Sequence, residues 1–255
     1  MAQTTTNKTA LVTGAGRGIG RAVAQRLAQD EVVVAVHYGH DDAAAKETVA
    51  SIERGGGSAF AVRFDLAGTD SVEPLLDAVD DGFRSLGLPT GLDILVNNAG
   101  IALPGGVDTM TGADFDRLFA VNVRAPFFVT QGALARIRDG GRVINLSSAV
   151  TRIAIPDIAA YSMTKGAIDV FTRVLAQSVG ARGITVNAVA PGYVLTDMNA
   201  WLVGNPAGQA EAAANVALGR IGEPGDIADI VAYLASDDAR WITGQILDAS
   251  GGTAL

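Results

Sequence analysis

Short apolar, β-branched runs ending in Gly, Asn or Asp alternate with amphipathic stretches along almost the whole of this 255-residue chain. The pattern predicts strands over 9–13, 32–37, 58–64, Leu92–Asn97, 142–146, 184–188 and 245–248. Between them it predicts helices over 19–29, Asp42–Arg54, 71–86, 112–138, 159–180 and 226–235. The strand runs lack the strict in–out alternation of a one-sided sheet, so they suit strands buried on both faces. Strand–helix–strand repeats predict right-handed crossovers and a mostly parallel, doubly wound sheet of seven strands, with helices on both faces. The fold class is therefore α/β. No linker or shift in composition divides the chain, so 1–255 reads as one domain. The longest weakly patterned stretch, 198–222, follows a strand end. It reads as part of a lid over about 193–220, with a surface helical excursion as the alternative.

Composition removes several classes of function. With 49% hydrophobic and 18% charged residues the chain is not disordered. A net charge of −8 and a pI near 4.7 argue against a nucleic-acid partner and an anionic membrane surface. There are no cysteines, which excludes thiol nucleophiles, disulfides and Cys-based metal sites. His37 and His40 are the only histidines, so a His-rich metal site is excluded too. Residues 1–9 are polar and lack an apolar signal core, and no apolar run is long enough to span a bilayer. The expectation is a soluble, cytoplasmic protein with neither membrane nor nucleic-acid partner.

The first strand is followed by Thr13-Gly14-Ala15-Gly16-Arg17-Gly18-Ile19-Gly20 and then a helix. Glycines there let the backbone turn sharply and approach a pyrophosphate, and the helix start offers unpaired N–H groups and a favourable dipole. The spacing is Gly-x-x-x-Gly-x-Gly, through Gly14, Gly18 and Gly20. There is no Gly-Lys-Ser/Thr, which disfavours an NTPase loop. The tip of the second strand, Val36-His37-Tyr38-Gly39-His40, carries no carboxylate to hold a ribose 2′-hydroxyl. A 2′-phosphate would meet Arg17 and His37 instead. NADP(H) is therefore favoured. Asp41 and Asp42 read as helix N-cap residues and leave NAD(H) open.

Tyr161 and Lys165 stand four apart on the helix predicted from 159, so they share a face. A free phenol has a pKa near ~10. A neighbouring ammonium and a cationic ring would favour the phenolate and lower it, fitting the phenol to trade a proton with a ketone or alcohol oxygen. Ser147-Ser148 and Asn97-Asn98-Ala99-Gly100 end two strands at the edge where open parallel sheets bind ligands. Asn122 is internal to a predicted helix, where it would hold a kink or a water.

In order and spacing these motifs resemble the short-chain dehydrogenase/reductase superfamily, in its 3-oxoacyl-(acyl-carrier-protein) reductase-like branch. The resemblance implies a single-domain Rossmann fold. It implies that Tyr161 is the general acid/base, that Lys165 binds the nicotinamide ribose and lowers the tyrosine pKa, and that Ser148, rather than Ser147, polarises the carbonyl. Asn122 would hold a water in a proton relay. Asp65 would meet the adenine amine with Leu66 beside it, and Asn98, Ala99 and Gly100 would pass along the adenine ribose. After Pro191-Gly192, Val194 and Thr196 would contact the carboxamide and pyrophosphate. The implied reaction is hydride transfer between NADP(H) and a ketone/secondary alcohol pair. A 3-oxoacyl-thioester reductase is the narrower alternative, and a non-catalytic nucleotide sensor the alternative from another class. The resemblance also implies a homotetramer. Where carrier-dependent members place a basic residue this chain has Gln177, though Arg136 and Arg138 remain to supply part of such a patch.

Overall fold

The computed structural model describes residues 8–68 and 71–255. Most of the polar start of the chain, 1–7, therefore lies outside the described residues. Seven strands form one sheet: β1 Thr9–Val12, β2 Val33–Tyr38, β3 Ala59–Arg63, β4 Leu92–Asn97, β5 Ile137–Leu146, β6 Thr185–Pro191 and β7 Ile246–Ala249. Their order is β3-β2-β1-β4-β5-β6-β7, and every pairing is parallel. Between the strands run α1 Gly18–Gln29, α2 Asp42–Arg54, α3 Glu73–Ser85, α4 Gly112–Phe119, α5 Ala125–Ala133, α6 Ala159–Val179, α7 Pro206–Ala213 and α8 Pro224–Ala235. The topology reverses between β1 and β4, so a crevice opens at the carboxyl ends of the central strands.

The side-chain period of two explains why the strands carry unbroken apolar runs. Along β1, Ala10 and Val12 face one helix layer, joining Val34, Val36, Ile94, Val96 and Ile144 under α1 and α8. Leu11 faces the other layer with Val33, Ala35, Leu95, Val143 and Val186, under α3, α5 and α6. Leu11, Ile94, Leu95 and Ile144 are at most 1% exposed. Each such side chain contributes ~1.5–3 kcal/mol of burial, so the two layers fix the register of the central strands.

Three boundaries differ from the sequence expectation. The helix expected over 112–138 is two helices joined by a π-turn, Ala120–Arg124, and it ends at Ala133. Beyond it, Ile137 already pairs with Leu92, and a bulge separates that pair from Ile94↔Arg142, with Gly140 in the left-handed region at φ +78°. Arg136 and Arg138 continue a helical pattern in sequence, but their guanidiniums pair elsewhere. Arg136 reaches Glu73, Asp77 and Asp80 on α3, and Arg138 reaches Asp93. The stretch 198–222 takes in most of a short 3-10 segment, Asp197–Leu202, and all of α7.

Candidate active site

The glycine turn after β1 is shaped by close approach. Gly14 and Gly18 take φ of +64° and +54°, where a side chain is strained. A Cβ on Gly20 would lie 2.3 Å from the Gly14 carbonyl oxygen and 2.4 Å from Asn98 Nδ2, so only glycine fits. Side chains from several elements hold the turn in place. Asn98 Nδ2 donates to the carbonyls of Thr13 and Gly14 at 2.8 and 3.1 Å. Thr13 Oγ1 accepts from the N–H groups of Asn98 and Ala99, both at 3.0 Å. Arg21 donates to the Gly16 carbonyl from two nitrogens, and nothing in the glycine pattern signals that role. Arg17, the N-cap of α1, has no acceptor to offer, so its side chain does not cap the first turn around Ile19. Its exposed guanidinium lies 3.7 Å from Asp197.

His37 departs from the sequence expectation. It does not project from the strand tip toward a phosphate but is buried, with both ring nitrogens engaged. Nδ1 accepts from Gly14 N–H at 3.1 Å, which leaves Nε2–H to donate to the Phe64 carbonyl at 3.0 Å. Burial lowers its pKa to about 4, so the ring is neutral and supports the glycine turn from beneath. Asp41 is the N-cap of α2, accepting from Ala44 N–H at 2.9 Å, and Asp42 accepts from the Tyr38 hydroxyl at 2.6 Å.

The end of β5 is stitched to α6 by three successive residues. The Leu146 carbonyl accepts from Lys165 Nζ at 2.8 Å, Ser147 Oγ donates to Asp169 at 2.5 Å, and Ser148 hydrogen-bonds the Tyr161 hydroxyl. Lys165 Nζ also lies 5.7 Å from the centre of the Tyr161 ring. Ser148 and Tyr161 thus share one end of the crevice, while Ser147 turns toward α6. Burial pushes the Tyr161 phenol up and the Ser148 hydrogen bond opposes it. The net direction without a nucleotide is upward. Burial lowers Lys165 to about 8, with Asp169 opposing. Asn122 occupies the π-turn, a local irregularity that lets its amide grip the chain after β4. Its Oδ1 accepts from Ile101 N–H at 2.9 Å, and its Nδ2 donates to the Ile101 carbonyl at 2.8 Å. A Cβ on Gly100 would lie 3.3 Å from Asn122 Oδ1 and 3.8 Å from Lys165 Nζ, so Gly100 joins these groups to the glycine turn.

The remaining residues expected at the site have partners of their own. Thr196 is the neighbour of Gly18, its methyl 3.4 Å from where a Cβ would stand. Asp65 accepts from Ala67 N–H at 2.9 Å, and Leu66 is buried in the sheet layer under α3. Pro191 ends β6, and a Cβ on Gly192 would meet Ser250 and Thr253 at 2.8 Å. Val194 is buried and bridges to Gly222. Sequence reasoning missed Arg152. From the loop after Ser148 its guanidinium reaches the Asp248 carboxylate, Ser250 Oγ at 3.1 Å and the Thr253 carbonyl at 2.7 Å, tying that loop to the tail. The tail also pairs with the end of the 193–218 segment, where Ala217 and Leu218 N–H groups donate to Gly252 and Gly251. Around Tyr161 the walls are apolar, built from Leu118, Ile101, Phe115, Val150 and Ile158. In the 193–218 segment Tyr193 and Trp201 meet edge to face at 6.0 Å, and Met198 and Val203 are exposed.

Residues 14–254 match the family described as enoyl-(acyl carrier protein) reductase. A versicolorin reductase of Emericella nidulans is 42% identical over 256 residues, covering 96% of this chain and 95% of the relative. Among solved structures, LugOII, described as a promiscuous reductase that catalyses keto-reduction at C1 during lugdunomycin biosynthesis, superposes with a TM-score of 0.94 at 47% identity. The match covers 98% of this chain and 99% of that one. The landomycin C-6 ketoreductase LanV, solved with NADP and rabelomycin, gives 0.89 at 46% identity over 98% and 97% of the two chains.

Proposed function

Because the chain belongs to the short-chain dehydrogenase/reductase superfamily, we propose that it is an NADPH-dependent ketoreductase acting on an apolar, ring-bearing ketone. The observation that carries this reading is the meeting of Ser148, Tyr161 and Lys165 at the end of a crevice that starts in the glycine turn. The crevice suits a dinucleotide. Gly14, Gly18 and Gly20 leave no side chain between backbone and ligand, and the start of α1 presents N–H groups that Arg17 cannot cap. Gly14, Gly18, Ile19 and Gly20 would hold the pyrophosphate together with Thr196, and exposed Arg17 would meet the 2′-phosphate. Asp65, Leu66 and Asn98 to Gly100 would line the adenosine half, with Pro191, Gly192 and Val194 at the nicotinamide. Bound there, NADPH supplies the hydride.

The chain's own residues supply the rest. Ser148 donates a hydrogen bond to the ketone oxygen, polarising the carbonyl and bearing the charge that develops on it. Tyr161 delivers its proton to that oxygen, the role for which burial keeps the phenol protonated. Lys165 places a positive charge behind the ring. Asn122 fixes the strand end that carries Gly100. The apolar wall around Tyr161 and the Tyr193–Trp201 pair favour a flat hydrophobic substrate over a carrier-bound acyl chain. The arginines that would draw an acidic carrier are already occupied by acids of this chain. Exposed Phe127 and Phe128 on α5, with Met163, Val170 and Val174 on α6, form an apolar face that supports assembly as a homotetramer.

The test is NADPH oxidation against fused-ring aromatic ketones, simple cyclic ketones and acetoacetyl thioesters, with Tyr161→Phe as the control. Turnover on ring ketones, reduced at least about 100-fold by Tyr161→Phe, is the expected result. Turnover confined to thioesters would move the assignment to acyl reduction, and wild-type rates in Tyr161→Phe would remove the tyrosine's role.

A further inference from the structure

We infer that Asp169 is a positioning residue for this reaction, a buried carboxylate that keeps the Lys165 ammonium charged behind Tyr161. The inference rests on the proposed ketoreductase reading. Its geometric basis is the three-rung stitch between β5 and α6, in which the outer rungs carry Lys165 and Tyr161 and the middle rung carries Asp169. Lys165 and Asp169 are four apart on one helix face, 6% and 9% exposed. An ammonium so buried is stable only beside an opposite charge or when it gives up its proton. Leu146 offers Lys165 a carbonyl, which carries no net charge. The other elements around the pair offer neutral side chains: Asn97 from β4, Asn145 and the two serines from the β5 end, and Asn122 from the π-turn. On α6 itself the titrating neighbours are Tyr161 and Arg173, and Arg173 is exposed. Among the described residues Asp169 is the one charge that acts on Lys165. Ser147 Oγ fixes the Asp169 carboxylate at 2.5 Å, so the residue beside Ser148 in the chain serves the electrostatics of the site.

Ketone reduction needs a protonated Tyr161 and, behind it, a charged Lys165. Replacing the Asp169 carboxylate with an amide lets the first proton leave that pair at lower pH, whichever of the two groups releases it. In Asp169→Asn the basic limb of the kcat–pH profile for ketone reduction should move down by about one pH unit. Turnover then falls about tenfold at pH values above the limb and stays within about twofold of wild type at pH 6, with KM for NADPH and ketone within about twofold. Asp169→Glu should restore the limb. A loss of the same factor at every pH would overturn the inference. Urea unfolding without substrate gives a readout independent of turnover. The stability deficit of Asp169→Asn should be largest near pH 6, where Lys165 is charged and unpaired, and should close toward pH 10 as the lysine becomes neutral. A deficit that does not vary with pH would also overturn it. If wild type reduces no ketone at any pH, the ketoreductase reading falls and the unfolding comparison still decides the role of Asp169.

Discussion

His37 should make the fold acid-sensitive over a defined window. The ring is 2% exposed, and burial lowers its pKa from the ordinary 6.5 to about 4. Above pH 6.5 it is neutral in the folded and the unfolded chain alike, so its full contribution is present. Between 6.5 and 4 the unfolded chain takes up a proton that the folded chain refuses, and stability falls as the pH falls. A window of about 2.5 pH units, at about 1.4 kcal/mol per unit, amounts to ~3 kcal/mol. The nitrogen that would be protonated is the acceptor for Gly14 N–H, so protonation sets donor against donor and releases the glycine turn as well. His37→Gln keeps an amide in place of the ring and removes the titration. Urea unfolding of both proteins at pH 7, 6 and 5, at one protein concentration and followed by tryptophan fluorescence, reads the difference. Between pH 7 and 5 the wild type should lose about 2 kcal/mol more than the variant. His40 is common to both and cancels. Parallel curves would refute the reasoning, because they would mean that the buried ring takes its proton without cost.

Three further outcomes follow from the crevice. Gly20→Ala puts a methyl group against the Gly14 carbonyl and Asn98, so NADPH affinity measured by fluorescence titration should fall at least about tenfold while the thermal midpoint moves by only a few degrees. Arg17→Glu should weaken NADPH at least about tenfold and NADH little, and Asp197→Asn, which frees Arg17 from its exposed partner, should tighten NADPH by about twofold. Equal losses for both nucleotides in Arg17→Glu would remove the 2′-phosphate role.

What was readable in the sequence lay within single elements or at strand ends. Gly14, Gly18 and Gly20 announce a turn because their spacing is local. Tyr161 and Lys165 share a face because helix geometry guarantees it. Strands β1, β2, β4, β5 and β6 are legible because burial on both faces leaves unbroken apolar runs, while the edge strands β3 and β7 are partly exposed. What was unreadable depended on partners distant in the chain. The partner of His37 at Phe64 is 27 residues away, so a histidine near a strand tip looked available when it was not. The helix ran past Ala133 in the sequence reading because Arg136 and Arg138 fit a helical period, and only the acids of α3 and β4 reveal where those charges go. Nothing in the sequence pattern singles out Asp169 on its amphipathic helix. Its burial beside Lys165 requires β5 to arrive with Ser147. Asn122 reads in sequence as a residue that would hold a kink or a water; it lies in the π-turn with two bonds to Ile101, a partner 21 residues away.

The clamp between Arg152 and the tail sets an order on how the molecule matures. Arg152 and its partners at Asp248 and Ala254 are 96 and 102 residues apart. A chain growing from its N-terminus finishes the glycine turn, the Tyr161 helix and the first six strands before those partners exist. Until residues 248–254 emerge, the loop after Ser148 lacks its Arg152 clamp, and the Gly192 turn lacks its contacts with Ser250 and Thr253. A ribosome-bound intermediate should therefore retain nucleotide before it turns over ketone. Protease nicks or fusions that disturb this segment should yield a holder of nucleotide rather than a reductase.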